Sequence, residues 1–269
     1  MAFPTLLEIV SPLVVLAVGI VLIYLVSRLL KLRPTALLTE ISRRDLTHVL
    51  LVGLGTISLI ALYRVVFHTI VVPALGWKNT QVTLDPVTFL FDVILAATGV
   101  FPLLILMWRT GMNWGSIGVR RENLGRILIL GAIPSAIFVA LVTPLAPQLG
   151  FRFAGFFPGQ AYAVVAFLLL AGVEETVWRG YIQTRLVAWA GVPRGLAITS
   201  LVFSLAHFPV RFFVFSGVVP EAFVSALLVF PSALLFGFFM LRSQNVIPGT
   251  IFHAVLNITV TVFFQPAAS

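Results

Sequence analysis

Long apolar runs separated by short polar stretches make up most of the chain. A transmembrane helix needs roughly 20 predominantly apolar residues, and about eight stretches meet or approach that length. These predicted spans are Thr5 to Val26, His48 to Val71, Pro86 to Trp108, Arg126 to Leu145, Ala161 to Trp189, Gly195 to Phe208, Pro220 to Leu241 and Val246 to Phe264. The pattern predicts an all-α fold, a polytopic membrane helix bundle of about eight transmembrane helices.

The composition supports a membrane protein. Hydrophobic residues make up 60% of the chain and charged residues 10%, against about 25% charged in an ordinary soluble domain. No Ser-rich, Gly-rich or acidic linker divides the sequence and no internal repeat is visible, so we expect residues 1–269 to form a single membrane domain. The absence of cysteine excludes disulfides, thiolate catalysis and Cys-ligated metals.

The net charge of +8 is explained by membrane orientation, without nucleic acid as a partner. Most basic residues fall in or beside the odd-numbered loops: Arg28, Lys31, Arg33, Arg43, Arg44, Arg109, Arg120, Arg121, Arg126, Arg185, Arg194 and Arg242. This places the odd loops in the cytoplasm. No Lys or Arg precedes the first apolar run, so we expect it to stay as a transmembrane helix. The small size and absence of targeting extensions favour a prokaryotic plasma membrane.

Two adjacent glutamates, Glu174 and Glu175, lie within the fifth span. Charged side chains within a membrane usually mark a functional site. Arg179 is at i+4 from Glu175, the favourable order for a helical ion pair. Glu174 projects about 100° away around the helix, which allows it a separate role facing a substrate. The alternative is that the three residues have a purely structural role and only join neighbouring helices.

Two further pairs of residues follow, each spaced by four positions and therefore on one helix face. Phe203 and His207 lie in the sixth span, where His207 can bind a water shared with a glutamate and Phe203 supports its ring. His253 and Asn257 lie in the eighth span and can both donate hydrogen bonds to a developing oxyanion. Each histidine taken alone is more often a structural core residue.

Helix rise places these residues within the membrane, mostly in its cytoplasmic half. Glu174 and His253 come out about 10 Å from the cytoplasmic side and His207 about 18 Å. We therefore expect them to share one water-containing cavity, with Pro248 and Gly249 widening its mouth. We interpret Arg64 and His68 in the second span as structural residues. They either snorkel to the membrane surface or bind a carboxylate such as that of Asp92.

The three motifs together resemble those of a known family. EExxxR is present as Glu174 to Arg179, FxxxH as Phe203 to His207, and HxxxN as His253 to Asn257. In this order and on membrane spans, they resemble the CPBP intramembrane endopeptidases, which include type II CAAX prenyl endopeptidases and bacterial relatives linked to bacteriocin processing. The resemblance covers about 161–264, which we take as the catalytic core.

The resemblance implies hydrolysis of a peptide bond in a membrane-anchored, possibly prenylated, substrate without an obligatory cofactor. Glu174 and His207 would activate the attacking water, and His253 with Asn257 would stabilise the oxyanion. Glu175 and Arg179 would position the site.

Three alternatives stay open from the sequence. Zinc accepts N and O ligands, which Glu174, Glu175, His207 and His253 can supply, although no HExxH helix is present. A non-catalytic immunity or scaffold protein would bind a peptide or membrane partner in the same cavity. A transporter would use the acids as proton carriers, but the chain lacks the repeated halves of many transporter folds.

Overall fold

The computed structural model describes residues 6–32, 41–77, 86–149, 151–155 and 157–266. It is 84% helical with almost no strand. Its helical segments are α1 (Leu6–Leu29), α2 (Arg43–Ala74), α3 (Pro86–Thr110), α4 (Leu124–Gln148), α5 (Gln160–Ala190), α6 (Val192–Val214), α7 (Val219–Ser243) and α8 (Ile247–Phe263).

Each of the eight predicted spans corresponds to one of these segments. Seven are long and apolar enough to cross a membrane, and α8 is a shorter apolar helix. The prediction of an all-α membrane bundle is therefore confirmed. Large apolar side chains on the outer faces, such as Leu50, Leu51 and Leu54 on α2, are exposed, as expected for a surface that contacts lipid.

The two helices α6 and α7 are each built from two pieces. α6 consists of Val192–Leu205 and Phe208–Val214, and α7 of Val219–Leu227 and Phe230–Ser243. A proline stands in the first turn of every piece, where its missing N–H costs no helical hydrogen bond. The break in α6 puts His207 between its two pieces, and the second piece makes this span longer than the sequence predicts.

Three of the segments contain a stretch of π-helix. The stretches are Phe67–Val71 in α2, Glu175–Gln183 in α5 and Thr259–Phe263 in α8. Wider π turns inside α-helices frequently occur at functional sites. The stretch in α5 begins within the paired glutamates.

The four helices α5 to α8 form the centre of the bundle, and the earlier helices pack around it. α5 contacts α3, α6 and α8, while α8 also packs on α4, and α7 on α1 and α6. Glycines permit the closest approaches, as is common between membrane helices. A Cβ at Gly195 on α6 would lie 2.5 Å from the Val187 backbone nitrogen on α5.

A short antiparallel ribbon joins the start of α5 to the end of α8. Strand β1 (Phe151–Phe153) pairs with β2 (Phe264–Pro266), with Arg152 opposite Gln265. This pairing fixes one end of the α5–α8 pair, along which the polar residues of the site are arranged.

Candidate active site

The paired glutamates lie where α5 changes its helical geometry. Glu174 is the last residue of the α-helical part, and Glu175 is the first residue of the π-helical stretch. Glu175 is buried, whereas Glu174 is 29% exposed at its side chain. The two neighbouring acids therefore differ in access, and Glu174 is the one that water can reach.

Glu175 belongs to a buried network with two partners, the Arg179 guanidinium and the His253 imidazole. Its Oε2 lies 3.6 Å from Arg179 Nε, and its Oε1 lies 3.1 Å from His253 Nδ1. Gly249 on α8 makes room for this carboxylate, since a Cβ there would stand 3.0 Å from Glu175 Oε2. The network links α5 directly to α8.

His253 bridges the two glutamates. Its Nδ1 faces Glu175, while its Nε2 lies 3.6 Å from Glu174 Oε2. Phe236 on α7 stacks on the imidazole with ring centroids 4.2 Å apart and planes inclined by 19°. This stacking fixes the plane of the ring, so each nitrogen is directed to one side of the site.

Phe203 is the aromatic centre of the site. Its buried ring makes edge contacts with Trp178 at 5.6 Å, with His207 at 4.7 Å and with His253 at 6.3 Å between centroids. It thus contacts both histidines as well as α5. The structure brings Phe203 and His207 into contact, and the supporting role of Phe203 stays a prediction.

The tautomer of His207 follows from one hydrogen bond. His207 Nδ1 lies 2.9 Å from the Phe203 carbonyl oxygen, which can only accept. Nδ1 therefore carries a proton, and in the neutral ring Nε2 is left as an acceptor. His207 also interacts electrostatically with Glu174 and His253.

Arg179 holds three helices together around the site. Its guanidinium is buried, donates from Nη2 to the Ala233 carbonyl oxygen on α7 at 3.2 Å, and lies 4.0 Å from the Phe203 ring and 5.3 Å from the Phe236 ring. The cation is thereby placed between two aromatic faces, a favourable arrangement in a desolvated site. Together with Glu175 it ties α5 to α6, α7 and α8.

Asn257 lies one turn beyond His253 on α8 and is half-buried. It forms no hydrogen bond with the part of the chain that the structure describes. Its carboxamide is therefore available to an incoming group, on the helix that carries His253.

The donor atoms do not converge on a metal position. The two carboxylates approach opposite nitrogens of the His253 ring. Among the described residues, no three His, Asp or Glu side chains are grouped as ligands of one ion. The four residues that the sequence offers to zinc are thus neighbours, but they do not fit a zinc site as they stand.

Sequence spacing pointed to the polar residues and to Phe203, but not to the contacts that Phe236 and Gly249 make with them. Phe236 is one of several phenylalanines on α7, and only the fold brings it onto His253. Gly249 was assigned to the cavity mouth, whereas in the structure its lack of a side chain accommodates Glu175. Neither residue carries a distinguishing signal in a single sequence.

Comparison with known proteins gives one match. Residues 157–259 match the family described as Type II CAAX prenyl endopeptidase Rce1-like. This segment contains all seven residues of the three motifs. The match confirms, over 157–259, the resemblance that the three motifs predict. No curated protein and no solved structure matches the chain.

The Rce1-like match supports, in general terms, a CAAX-type intramembrane endopeptidase, a peptide hydrolase that acts on membrane-anchored substrates. The seven long apolar helices agree with an integral, multi-pass membrane protein. The matched segment covers most of α5 to α8, so the four helices of the Rce1-like region are also those that build the polar site. Helices α1 to α4 lie outside it.

Proposed function

We propose that this protein cleaves membrane-anchored peptides with a water molecule activated by Glu174 and His207, and without a metal ion. The observation that carries the proposal is the geometry around His253, whose two nitrogens face two glutamates of unequal burial. The more exposed glutamate is free to exchange its partner when substrate binds.

In the first step, water occupies the space between Glu174 and His207. One of its hydrogens is accepted by the Glu174 carboxylate and the other by His207 Nε2, the acceptor nitrogen in the tautomer described above. The water oxygen attacks the peptide carbonyl carbon as Glu174 takes the proton. General-base catalysis of this kind typically contributes about 100-fold to 10,000-fold in rate.

The resulting oxyanion is stabilised by His253 and Asn257. His253 Nδ1 donates to the ionised Glu175, so Nε2 also donates only when the ring carries both protons. Two carboxylates, one guanidinium and one imidazolium then sum to zero charge, which suits a site shielded from water. The substrate oxygen replaces Glu174 on Nε2, and this exchange releases Glu174 to the water.

In the last step, the tetrahedral intermediate collapses. The carbon–nitrogen bond breaks, and the proton held by Glu174 passes to the leaving amine. Glu174 returns to its ionised form, and the carbonyl is restored in a new carboxylic acid. This acid loses its proton to solvent as the two peptide fragments leave. Glu175 and Arg179 act as positioning residues throughout, since both are buried behind His253.

The test is cleavage of a panel of prenylated and unmodified membrane-anchored peptides by purified protein, with and without strong chelator. Wild type is compared with Glu174→Gln and with Glu122→Gln, which removes an exposed carboxylate outside the site. We expect cleavage by wild type and Glu122→Gln in both conditions and none by Glu174→Gln.

Three outcomes would contradict parts of the proposal. Loss of cleavage in chelator, restored by zinc, would favour the metal mechanism. Full activity of Glu174→Gln would remove Glu174 from the chemistry. A cellular phenotype that persists in Glu174→Gln would favour a peptide-binding immunity or scaffold protein.

A further inference from the structure

A basic cleft lies where the ends of α1 and α7 meet the start of α4, and none of the motif residues lines it. Its volume is about 380 Å³, within the range of about 300–1000 Å³ that is usual for small-molecule sites. Four basic residues and one acid line it: Lys31, Arg120, Arg126, Arg242 and Glu122. None of the five forms an ion pair with a described residue. The cleft therefore carries an uncompensated positive charge.

Two of the arginines are held by hydrogen bonds that leave their terminal nitrogens unused. Arg120 Nε donates to the Gly115 carbonyl oxygen at 2.9 Å, and Arg242 Nε donates to Ser27 Oγ at 3.0 Å. Asn245 Nδ2 donates to the Arg120 carbonyl oxygen at 2.8 Å, which attaches this loop to the turn after α7. The Nη groups of both arginines form no hydrogen bond with the described residues. They are pre-organised to donate to an anion.

Lys31 stands at a backbone position that suits glycine. Its φ is 53°, in the left-handed region that is unfavourable for a residue with a Cβ. The position directly follows α1, where glycine is the usual residue in this conformation. The sequence thus places an exposed ammonium group at the cleft although the backbone there favours glycine.

The start of α4 adds to the positive potential of the cleft. The side chain of its N-cap residue, Asn123, makes no capping hydrogen bond, and the first turn contains no acidic residue. The unpaired N–H groups and the positive end of the helix dipole therefore favour an anion here. Arg126 in the same turn has the charge that is unfavourable at a helix N-terminus. An anion close by would offset this repulsion.

Basic residues on one side of a membrane protein also set its orientation. That role requires only that they lie in the loops on that side. It does not require that basic residues from three separate loops line one cleft, nor that Arg120 and Arg242 are fixed by hydrogen bonds. The arrangement therefore indicates a binding site in addition to an orientation signal.

The cleft is placed where a lipid headgroup can reach it. Leu29 on α1, and Leu124 and Leu128 on α4, are exposed, and each is within two positions of a residue that lines the cleft. Apolar surface of this kind contacts acyl chains, while the polar cleft beside it suits a headgroup. The sequence places these loops on the cytoplasmic side, where the leaflet carries anionic lipids.

We propose that this cleft binds the phosphate group of an anionic phospholipid. Arg120 and Arg242 donate hydrogen bonds to the phosphate oxygens, and Lys31 supplies a third positive charge. Basic pockets between membrane helices on the cytoplasmic side bind anionic headgroups in this way. The bound lipid joins α1, α4 and α7 at one end of the bundle. This inference goes beyond the proposed peptidase function and does not depend on it.

The experiment measures lipid binding to the purified whole chain in detergent by native mass spectrometry. Phosphatidylglycerol is compared with phosphatidylcholine, which carries the same phosphate but no net charge. A basic residue near an anionic headgroup is worth about fivefold in the binding constant. With three such residues, we expect wild type to bind phosphatidylglycerol at least about tenfold more tightly than phosphatidylcholine.

Lys31→Gly separates binding from folding, because glycine suits the positive φ at this position. We expect its affinity for phosphatidylglycerol to fall about fivefold, while its thermal unfolding temperature without added lipid is no lower than that of wild type. Arg120→Gln should lower the affinity about tenfold through loss of a charge-assisted hydrogen bond. Arg109→Gln, an exposed arginine at the end of α3 and outside the cleft, is the control and should bind as wild type does.

Equal binding of the two lipids by wild type would overturn the inference. An equal loss of affinity in Arg109→Gln and Lys31→Gly would also overturn it, since the attraction would then belong to the whole surface. If Arg120→Gln does not fold, Lys31→Gly decides the outcome.

Inorganic phosphate distinguishes a lipid from a free anion. Added at the same concentration as phosphatidylglycerol, it should leave the lipid bound, because it lacks the acyl chains that contact the apolar surface beside the cleft. Displacement of phosphatidylglycerol under these conditions would show that the site prefers free phosphate and would overturn the lipid assignment.

Discussion

His253 has a carboxylate on each side of its ring, at 3.1 Å from Nδ1 and 3.6 Å from Nε2. The shorter contact is to the buried Glu175 and the longer one to the more accessible Glu174. In the proposed mechanism, Glu174 is therefore the partner that gives way to a substrate. Glu175 then keeps the ring oriented while Nε2 changes its acceptor.

Asn257 offers the most direct residue-scale test of the oxyanion site. Replacing it by Ala removes one of two proposed donors, and such a loss typically lowers the rate about 100-fold to 1000-fold. Since Asn257 forms no hydrogen bond with the described residues, we expect the thermal unfolding temperature of Asn257→Ala to match that of wild type. Single-turnover cleavage measures the rate, and full activity would remove Asn257 from the mechanism.

Gly249 tests the placement of Glu175. A Cβ in Gly249→Ala would meet Glu175 Oε2 at 3.0 Å, so the carboxylate must shift and His253 shifts with it. We expect kcat/KM to fall by up to about 100-fold, the effect of a displacement near 1 Å in a catalytic group.

The matched control for this substitution is Gly172→Ala on α5. Its Cβ would lie 3.7 Å from Thr250 Cγ2, an ordinary van der Waals contact, so it should retain activity. Equal cleavage by the two variants would show that Glu175 tolerates displacement.

At the residue scale, spacing in the sequence was sufficient to find the ion pair. Glu175 and Arg179 are four apart, and that interval alone predicts their contact. The contacts of His253 with α5 and α7 cross between helices separated by many residues, so no local interval encodes them. Phe236 and Gly249 do not stand out in an apolar sequence. Their roles follow only from the contacts that they make with other helices.

Among the described helices, α5 carries the most buried polar side chains and the longest π-helical stretch, Glu175–Gln183. Glu175, Arg179, Gln183 and Arg185 are all buried on it. Some of these side chains bond to neighbouring helices, as where Gln183 donates to the Gly237 carbonyl oxygen at 3.0 Å and Arg179 to the Ala233 carbonyl oxygen at 3.2 Å. The polar face of α5 therefore acts as the surface on which the other core helices assemble.

Arg179→Gln tests this role of α5. The substitution removes the guanidinium that faces Glu175, the Ala233 carbonyl and two aromatic rings, and it leaves a buried carboxylate without its cation. Breaking a buried pair in this way costs about 3–5 kcal/mol in the free energy of unfolding. Denaturant unfolding in detergent measures the change.

Arg126→Gln on α4 is the control, because Arg126 is exposed and substitutions at such positions usually change stability by less than about 0.5 kcal/mol. If both variants unfold alike, Arg179 does not hold the core helices together.

Hydropathy predicted the elements well because every helix needs an apolar surface to lie in lipid. It underestimated α6, whose predicted span ends at Phe208 although the helix resumes there and continues to Val214. Arg211 interrupts the apolar pattern in that second piece, so its helical path was not visible. The pattern also carries no information on π turns, which depend on hydrogen bonding within the formed helix.

For the whole molecule, helices outside the family match still complete the structure. α4 packs along α8, α3 along α5 and α1 along α7. The site helices are thus covered on several sides by elements to which the sequence assigned no role. Which helices become neighbours could not be deduced from apolar patterning, since lipid-facing and helix-facing surfaces are equally apolar.

The orientation across the membrane stays a prediction from the distribution of basic loops. The absence of cysteine makes it testable, since each introduced cysteine is the only one. Arg121→Cys lies between α3 and α4, and Ser216→Cys between α6 and α7, both at exposed positions. In intact cells, an impermeant maleimide should label Ser216→Cys and leave Arg121→Cys unlabelled until the membrane is permeabilised. The reverse labelling would show that the membrane orientation is opposite to the predicted one.

The contact between α1 and α7 bears on how the protein is made. Arg242 Nε donates to Ser27 Oγ at 3.0 Å across 215 positions of sequence, and Leu235 fills the space beside Gly19. Helix α1 thus lies in the bilayer without this neighbour until the five intervening helices and α7 itself have been inserted. The contact between α1 and α7 therefore forms only after helices α2 to α6 have entered the membrane.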